Sequence, residues 1–257
     1  MSSKNTYRTP PTPPPPPQPA PVAKPKRSWR TKLWRLAKKT VLYFLIGSIG
    51  VVFLLRWIPI WITPTMIDRK IEALLDGKDT EIYYDWTSYD HISKEAALAV
   101  VASEDQLFPT HFGFDFEAMN FAFKNNLKGR RIKGASTISQ QVAKNVFLWQ
   151  GRSYIRKGLE AWFTLLIEVI WGKERILEVY LNVAETGPMT FGVEAASARY
   201  YHKEASALTR TEAARIAAVL PSPNRFSIAS PSNYVQRRTN AIARQMRMLG
   251  RDYIADL

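Results

Sequence analysis

Apolar positions recur at helical spacing along most of this chain. Lys94 to Glu104 sets Ala97, Val100, Val101 and Glu104 on one helix face. Ser153 to Trp171 reads as a long apolar helix stopped by Gly172, and Lys173 to Asn182 as another. A helix is predicted from about Gly192 to Tyr201. Thr209 and Glu212 form a capping box ahead of Ala213 to Leu220, and Ser232 to Leu249 forms the last helix. Strand-like alternation is weak and confined to Glu81 to Trp86. The pattern predicts a mainly α protein, with no internal repeat.

The segment Gly134 to Asn145 has an unusual polar face. At 100° per residue, Thr137, Gln140, Gln141 and Lys144 share one narrow arc. Ile138, Val142, Val146 and Trp149 share another, predicted to face the core. Ser136 occupies the expected N-cap position. A helix start with a hydroxyl, two amides and an ammonium suits a phosphate or a polyhydroxylated sugar. A solvated surface face is the alternative, but such faces ordinarily carry Glu–Lys pairs rather than amides.

One run is too apolar for a surface helix. Val41 to Ile62 is broken only by Arg56, and about 20 such residues cross a bilayer. Arg56 lies near one end, where it can snorkel, beside Trp57 and Trp61. Residues 1–40 hold ten Lys and Arg and no acidic residue. By the positive-inside rule this tail is cytoplasmic, residues 41–62 are a signal anchor, and residues 63–257 are expected outside the cytoplasm as one domain. Residues 8–25 contain ten of the 17 prolines and read as an extended spacer.

Charge changes the picture only in its distribution. The net charge of +14 suggests nucleic acid at first, but the tail accounts for most of it and leaves +4 for the other 217 residues. Nucleic acid is therefore not an expected partner. Cysteine is absent, which excludes disulfides and thiolate metal sites. The three histidines, at 91, 111 and 202, form no metal-binding pattern, and no metal site is expected.

Two carboxylates stand out. Glu104 lies on the apolar face of its helix, where burial raises a carboxyl pKa and suits general acid–base work; a structural ion pair is the alternative. Glu160 pairs at i,i+4 with Arg156, which by itself reads as a surface ion pair. Arg152, Arg156 and Lys157 cluster just after the polar-striped helix and extend one cationic surface. Phe112, Phe114, Phe116, Phe121 and Phe123 alternate with Lys124, Lys128, Arg130, Arg131 and Lys133, a mixture suited to an anionic lipid surface, although core packing explains some of the rings.

Four motifs follow in order: Glu104-Asp-x-x-Phe108-x-x-His111-x-Gly113-x-Asp115, Gly134-x-Ser136-Thr-x-x-Gln140-Gln-x-x-Lys144-Asn, Arg156-Lys-x-x-Glu160, and Ile176-Leu-Glu-Val-Tyr-Leu-Asn182. Together they resemble the motif series of the peptidoglycan glycosyltransferases from about Ser93 to Tyr201. Ala135 stands where many members have glycine. The resemblance implies a lysozyme-like, two-lobed helical fold whose smaller lobe touches the membrane. It implies lipid II and the growing glycan chain as substrates, with inversion at the donor sugar and release of undecaprenyl pyrophosphate. It implies Glu104 as general base, Glu160 as a second carboxylate near the donor, and Ser136, Gln141, Lys144, Asn145 and Arg152 as sugar and pyrophosphate ligands. Thr137, Gln140, Arg156 and Lys157 join the candidate binding set on the strength of the stripe and the cluster.

No cofactor is required by the residues; a magnesium or manganese ion on the substrate pyrophosphate is compatible with the resemblance. Other cell-wall synthesis or division proteins are candidate partners. Two rival functions exist: a lysozyme-like enzyme that cleaves the same polymer, and a non-enzymatic anchor acting through the proline-rich tail. Crosslinking activity is not expected. No serine is followed three residues later by Lys, Lys-Thr-Gly is absent, and fewer than 60 residues follow Tyr201.

Overall fold

The computed structural model describes residues 29–127, 136–151 and 153–257. The proline-rich stretch, Lys128, Arg130, Arg131, Lys133, Gly134, Ala135 and Arg152 lie outside the described residues. The fold is mainly α, as the hydrophobic pattern predicts.

The first helix, α1, runs from Trp29 to Leu54. It starts 12 residues before the predicted span and ends eight before its end. The early start follows from Lys and Arg, good helix formers, continuing the apolar run backwards. The early stop follows from Pro59, which has no backbone donor and disfavours helix in the residue before it. At 26 residues α1 is about 39 Å long, enough to cross a bilayer.

Leu45 to Leu257 form one compact unit, separate from the chain up to Phe44. Within it the end of α1 is fastened to the domain. Trp162 Nε1 donates to Ser48 Oγ at 3.1 Å, and Trp171 Nε1 to the Val52 carbonyl at 2.7 Å. Arg175 donates to the carbonyls of Leu55 and Ile58, and Arg56 to that of Ile170. Trp57 and Trp61 remain exposed.

The domain core centres on α3 (Lys94–Glu104), in which every residue from Glu95 to Ala102 is buried. It packs against α9 (Arg210–Val219) and α10 (Asn233–Leu249). Its four alanines keep the helix slim enough for contact on all sides. A second layer joins α5 (Ile138–Phe147), α6 (Tyr154–Ile170) and α7 (Lys173–Val183). The remaining helices are α2 (Pro64–Leu75), α4 (Phe116–Leu127) and α8 (Val193–Tyr201).

A small sheet completes the domain. β1 (Tyr83–Tyr84) runs parallel to β3 (Thr190–Phe191), and β2 (Glu185–Gly187) pairs antiparallel with β3. Strands of two or three residues are too short to register a period-two pattern, and β2 and β3 go unpredicted. Gly192 ends this sheet at φ +83°, where a Cβ would lie 2.5 Å from the Asn182 carbonyl oxygen, so only glycine fits.

Candidate active site

Glu104 is the last residue of α3, and the chain leaves the helix at Asp105 (φ −160°). Asp105 is 7% exposed; its Oδ2 accepts from the backbone N–H of Ile138 at 2.9 Å and from His111 Nε2 at 2.9 Å. A carboxylate at the start of α5 is favoured by the exposed N–H groups there. The loop between Asp105 and Asp115 is thereby tied to that helix. Thr137 Oγ1 donates to the Gly113 carbonyl at 2.7 Å. Gly113 has φ +76°, and a Cβ there would sit 2.8 Å from Thr164 Cγ2 on α6. Beneath it Ser139 Oγ and Lys173 Nζ both donate to Glu168 Oε1, at 2.5 and 2.8 Å, and Lys173 covers the Phe108 ring.

This frame places Glu104 at the wall of a cleft lined also by Asp105, Gln106, Leu107, Asp115, Ala118, Ser136 and Thr137. The Glu104 side chain is 13% exposed. Gln141 Nε2 donates to Oε2 at 3.2 Å, and Arg238 Nη2 to Oε1 at 3.3 Å. Burial outweighs these contacts, and the Glu104 carboxyl is held above the ordinary glutamate range. The structure thus joins both readings of Glu104: it has an ion-pair partner, and it is still a strengthened base.

The polar stripe divides. Thr137, not Ser136, is the N-cap of α5. Its Oγ1 accepts from Gln140 N while Gln140 Oε1 accepts from Thr137 N, at 3.2 and 3.1 Å, and both residues are 2% exposed. A threonine followed three residues later by glutamine satisfies two helix-end donors at once, which Ser136 with Ser139 cannot do. Thr137 and Gln140 are therefore engaged in holding the helix end; Thr137 still contributes to the cleft wall, and Gln140 does not. Ser136 is exposed on the cleft, and Gln141 and Lys144 are half-buried. Trp149 lies past the end of α5 and is 49% exposed instead of reaching the core, because the helix stops at Phe147.

The second carboxylate is built differently. Glu160 on α6 is 3% exposed; Arg156 Nη1 donates to its Oε2 at 2.8 Å, and Lys157 Nζ to its Oε1. Arg156 is itself fixed by donating from Nε to the Gly151 carbonyl at 2.8 Å. Arg156, which by spacing alone reads as a surface residue, is buried. The Lys144 ammonium feels the charge of Glu160 but forms no hydrogen bond or ion pair among the described residues. Burial holds its ammonium below the ordinary lysine range. Asn145 lies beside α2, where Thr65 Oγ1 donates to its backbone and side-chain oxygens at 3.4 Å and Gln150 Nε2 donates to Thr65 at 2.7 Å.

Two contributors escape the sequence reading. Arg238 lies 134 positions from Glu104, and no local pattern connects them. Tyr180 sits inside the fourth motif, yet nothing in the motif reveals that its hydroxyl reaches Gln141, at 3.2 Å. Among the described residues no three His, Cys, Asp or Glu side chains form a metal-holding group. The carboxylates at the cleft are also committed elsewhere: Asp105 as above, and Asp115 to the Ala118 N–H at 2.8 Å. Among the described residues the donor set does not form a ligand group for a protein-held divalent cation.

Residues 71–247, which include Glu104, Gln141, Lys144, Glu160, Tyr180 and Arg238, match the model of the transglycosylase family. The chain is 50% identical over 220 residues to a biosynthetic peptidoglycan transglycosylase of Pseudomonas entomophila, covering 86% of this chain and 93% of that protein. A protein of the same description from Pseudomonas aeruginosa is 50% identical over 220 residues, covering 86% and 95%. One from Xanthomonas campestris is 51% identical over 227 residues, covering 88% and 92%. With a family match running from α2 to the last helix and half the residues shared with such proteins, this chain belongs to the transglycosylase family.

Proposed function

We propose that this enzyme is a peptidoglycan glycosyltransferase that polymerises lipid II into β-1,4 glycan strands and releases undecaprenyl pyrophosphate. One observation carries the reading. A largely buried carboxylate of raised basicity and a half-buried ammonium with no ion-pair partner among the described residues are linked through one face of one helix: Gln141 touches Glu104, and Lys144 lies one turn further on.

Glycosyl transfer needs both groups at opposite ends of the breaking bond. Glu104 takes the proton from the acceptor sugar's 4-hydroxyl as that oxygen attacks C1 of the donor. The C1–O bond to the pyrophosphate breaks and its electron pair leaves with the phosphate. Lys144 meets the growing negative charge, with Lys157 as a further cation. An ammonium that lacks an ion-pair partner among the described residues becomes better stabilised as that charge forms, which favours the transition state over the resting enzyme. Ser136 and Gln141 bind sugar at the cleft. Arg156 holds Glu160, whose fixed charge keeps the cations in place without quenching Lys144. No step runs through a protein-held metal; magnesium or manganese arriving on the pyrophosphate belongs to the substrate.

The helix α1 supports a single-pass anchor. We assign the basic tail to the cytoplasm and the catalytic domain to the periplasmic face of the inner membrane, where lipid II presents its sugars. A reporter active only in the periplasm, fused after Leu257, is expected to be active; activity of a cytoplasmic reporter there reverses the orientation.

The decisive experiment is incubation of the detergent-solubilised full chain with labelled lipid II, followed by sizing of the products. Long glycan and free undecaprenyl pyrophosphate are expected. Soluble fragments released from preformed peptidoglycan, with lipid II left intact, make the protein a cleaving enzyme instead.

A further inference from the structure

Tyr180 on α7 is 1% exposed, and Gln141 is the one hydrogen-bond partner of its phenol among the described residues. The phenol donates to Gln141 Oε1 at 3.2 Å, and the same amide donates from Nε2 to Glu104 Oε2 at 3.2 Å. A carboxamide is two-faced: turned over, it presents its oxygen to Glu104 and its NH2 to Tyr180. The present orientation suits an ionised Glu104, which accepts from the NH2. The reversed one suits a protonated Glu104, which would donate to the amide oxygen.

Tyr180 separates the two states. In the present orientation its buried proton is bonded. In the reversed one that proton has no acceptor among the described residues, and an orphaned buried donor is costly. The phenol cannot escape by ionising, since burial holds it protonated well above the ordinary tyrosine range.

We propose that Tyr180 is a positioning residue, which fixes the Gln141 amide with its NH2 toward Glu104 and so keeps the catalytic carboxylate ready to accept a proton. It touches no substrate and acts only through Gln141. The other charged groups facing Glu104 are Arg238 on α10 and the neighbouring Asp105, and the substitution below leaves both unchanged. The inference rests on Glu104 being the general base.

The test is the Tyr180→Phe full-length enzyme, assayed with lipid II across pH beside wild type, Glu104→Gln, Gln141→Ala and the Tyr180→Phe/Gln141→Ala double variant. Phenylalanine keeps the ring and removes only the hydroxyl. Freed of its lock, the amide can turn to accept from protonated Glu104, so the acid limb of kcat/KM moves to higher pH. A shift of about one unit is expected, a roughly tenfold loss on the acid side that is regained as pH rises. In the Gln141→Ala background, Tyr180→Phe moves the limb no further, because the relay is already cut. An unchanged limb, or a rate reduced by one factor at every pH, overturns the positioning role. An equal further shift without Gln141 overturns the relay. Substantial activity in Glu104→Gln defeats the base assignment itself, a separate outcome from either.

Discussion

Glu104 and Glu160 are both largely buried glutamates on helices, each within reach of arginine, and their charges are balanced in opposite ways. Glu160 has a guanidinium at 2.8 Å on one oxygen and an ammonium on the other. Its charge is matched and its geometry fixed. Glu104 has one guanidinium at 3.3 Å and an amide at 3.2 Å, and burial prevails over both. The lesson concerns balance rather than residue type: a buried carboxylate short of positive charge is a base, and one given two cations is a counter-ion. The same imbalance, with its sign reversed, distinguishes Lys144 from Lys157, since Lys144 is half-buried without an ion-pair partner among the described residues and Lys157 is 47% exposed with one.

Removing each charge sharpens this contrast. Glu104→Gln keeps the volume and deletes the base, and polymerisation is expected to fall by about 10²- to 10⁴-fold. The fold should hold, because the ion pair lost is the long one to the part-exposed Arg238, and glutamine keeps an oxygen that can accept from that guanidinium. Glu160→Gln should fail on stability as well as rate. It strands the Arg156 guanidinium, which is 11% exposed, a loss on the order of 3–5 kcal/mol when a buried pair loses one member. Thermal unfolding and lipid II turnover measured on both variants check the comparison. A Glu160→Gln protein as stable as wild type, or a Glu104→Gln protein with near-normal turnover, breaks it.

Much of this was legible in the chain. The boundaries of α3, α6, α7 and α10 fall within one residue of the predicted ones, and α9 starts three residues early, at Arg210 straight after its predicted cap, because each carries both an apolar period and a chemical stop or start such as Ser153, Gly172 or Thr209. Glu104 stood out as a carboxylate where the period calls for an apolar residue. Three things were not legible. Ser136 and Thr137 are adjacent hydroxyl residues that both suit an N-cap, and only the reciprocal bond with Gln140 decides between them. The stripe of Thr137, Gln140, Gln141 and Lys144 is a fact of helical geometry, but spacing does not say what packs against half of it. The contacts of Arg238 and Tyr180 depend on α10 and α7 converging on α3 and α5, which no local pattern encodes.

The leaving-group end gives a smaller effect. Lys144→Ala should weaken binding of inorganic pyrophosphate or a pyrophosphate-bearing inhibitor about 10- to 100-fold, the value of a charge-assisted hydrogen bond. Its stability should not fall, since no ion pair is broken. Calorimetric titration checks the first and thermal unfolding the second. The two groups also frame the pH profile. Glu104 acts only when ionised, and its raised pKa brings the acid limb in above the ordinary carboxylate range. Lys144 acts only when protonated, and its lowered pKa brings the alkaline limb in below the ordinary lysine range. Activity is expected to be bell-shaped, with a narrower plateau than unperturbed groups would give. In Lys144→Ala the alkaline limb should move or vanish while the acid limb stays.

The finest test lies within the Glu160 cluster, where one carboxylate holds two cations of unequal burial. Arg156→Ala removes the buried partner, its bond to the Gly151 carbonyl and the packing of its stem, and leaves Glu160 with only an exposed ammonium. Lys157→Ala removes that exposed ammonium and leaves the buried pair whole. Exposed ion pairs contribute at most about 1 kcal/mol, so Lys157→Ala should lower stability by less than that. Arg156→Ala should lower it by several times as much. The ranking matters more than either value. If Glu160 is a counter-ion whose charge is matched mainly from inside the protein, Arg156 dominates in thermal unfolding. If Lys157→Ala proves the more damaging, the charge of Glu160 is balanced from the surface, and its contrast with Glu104 loses its physical basis.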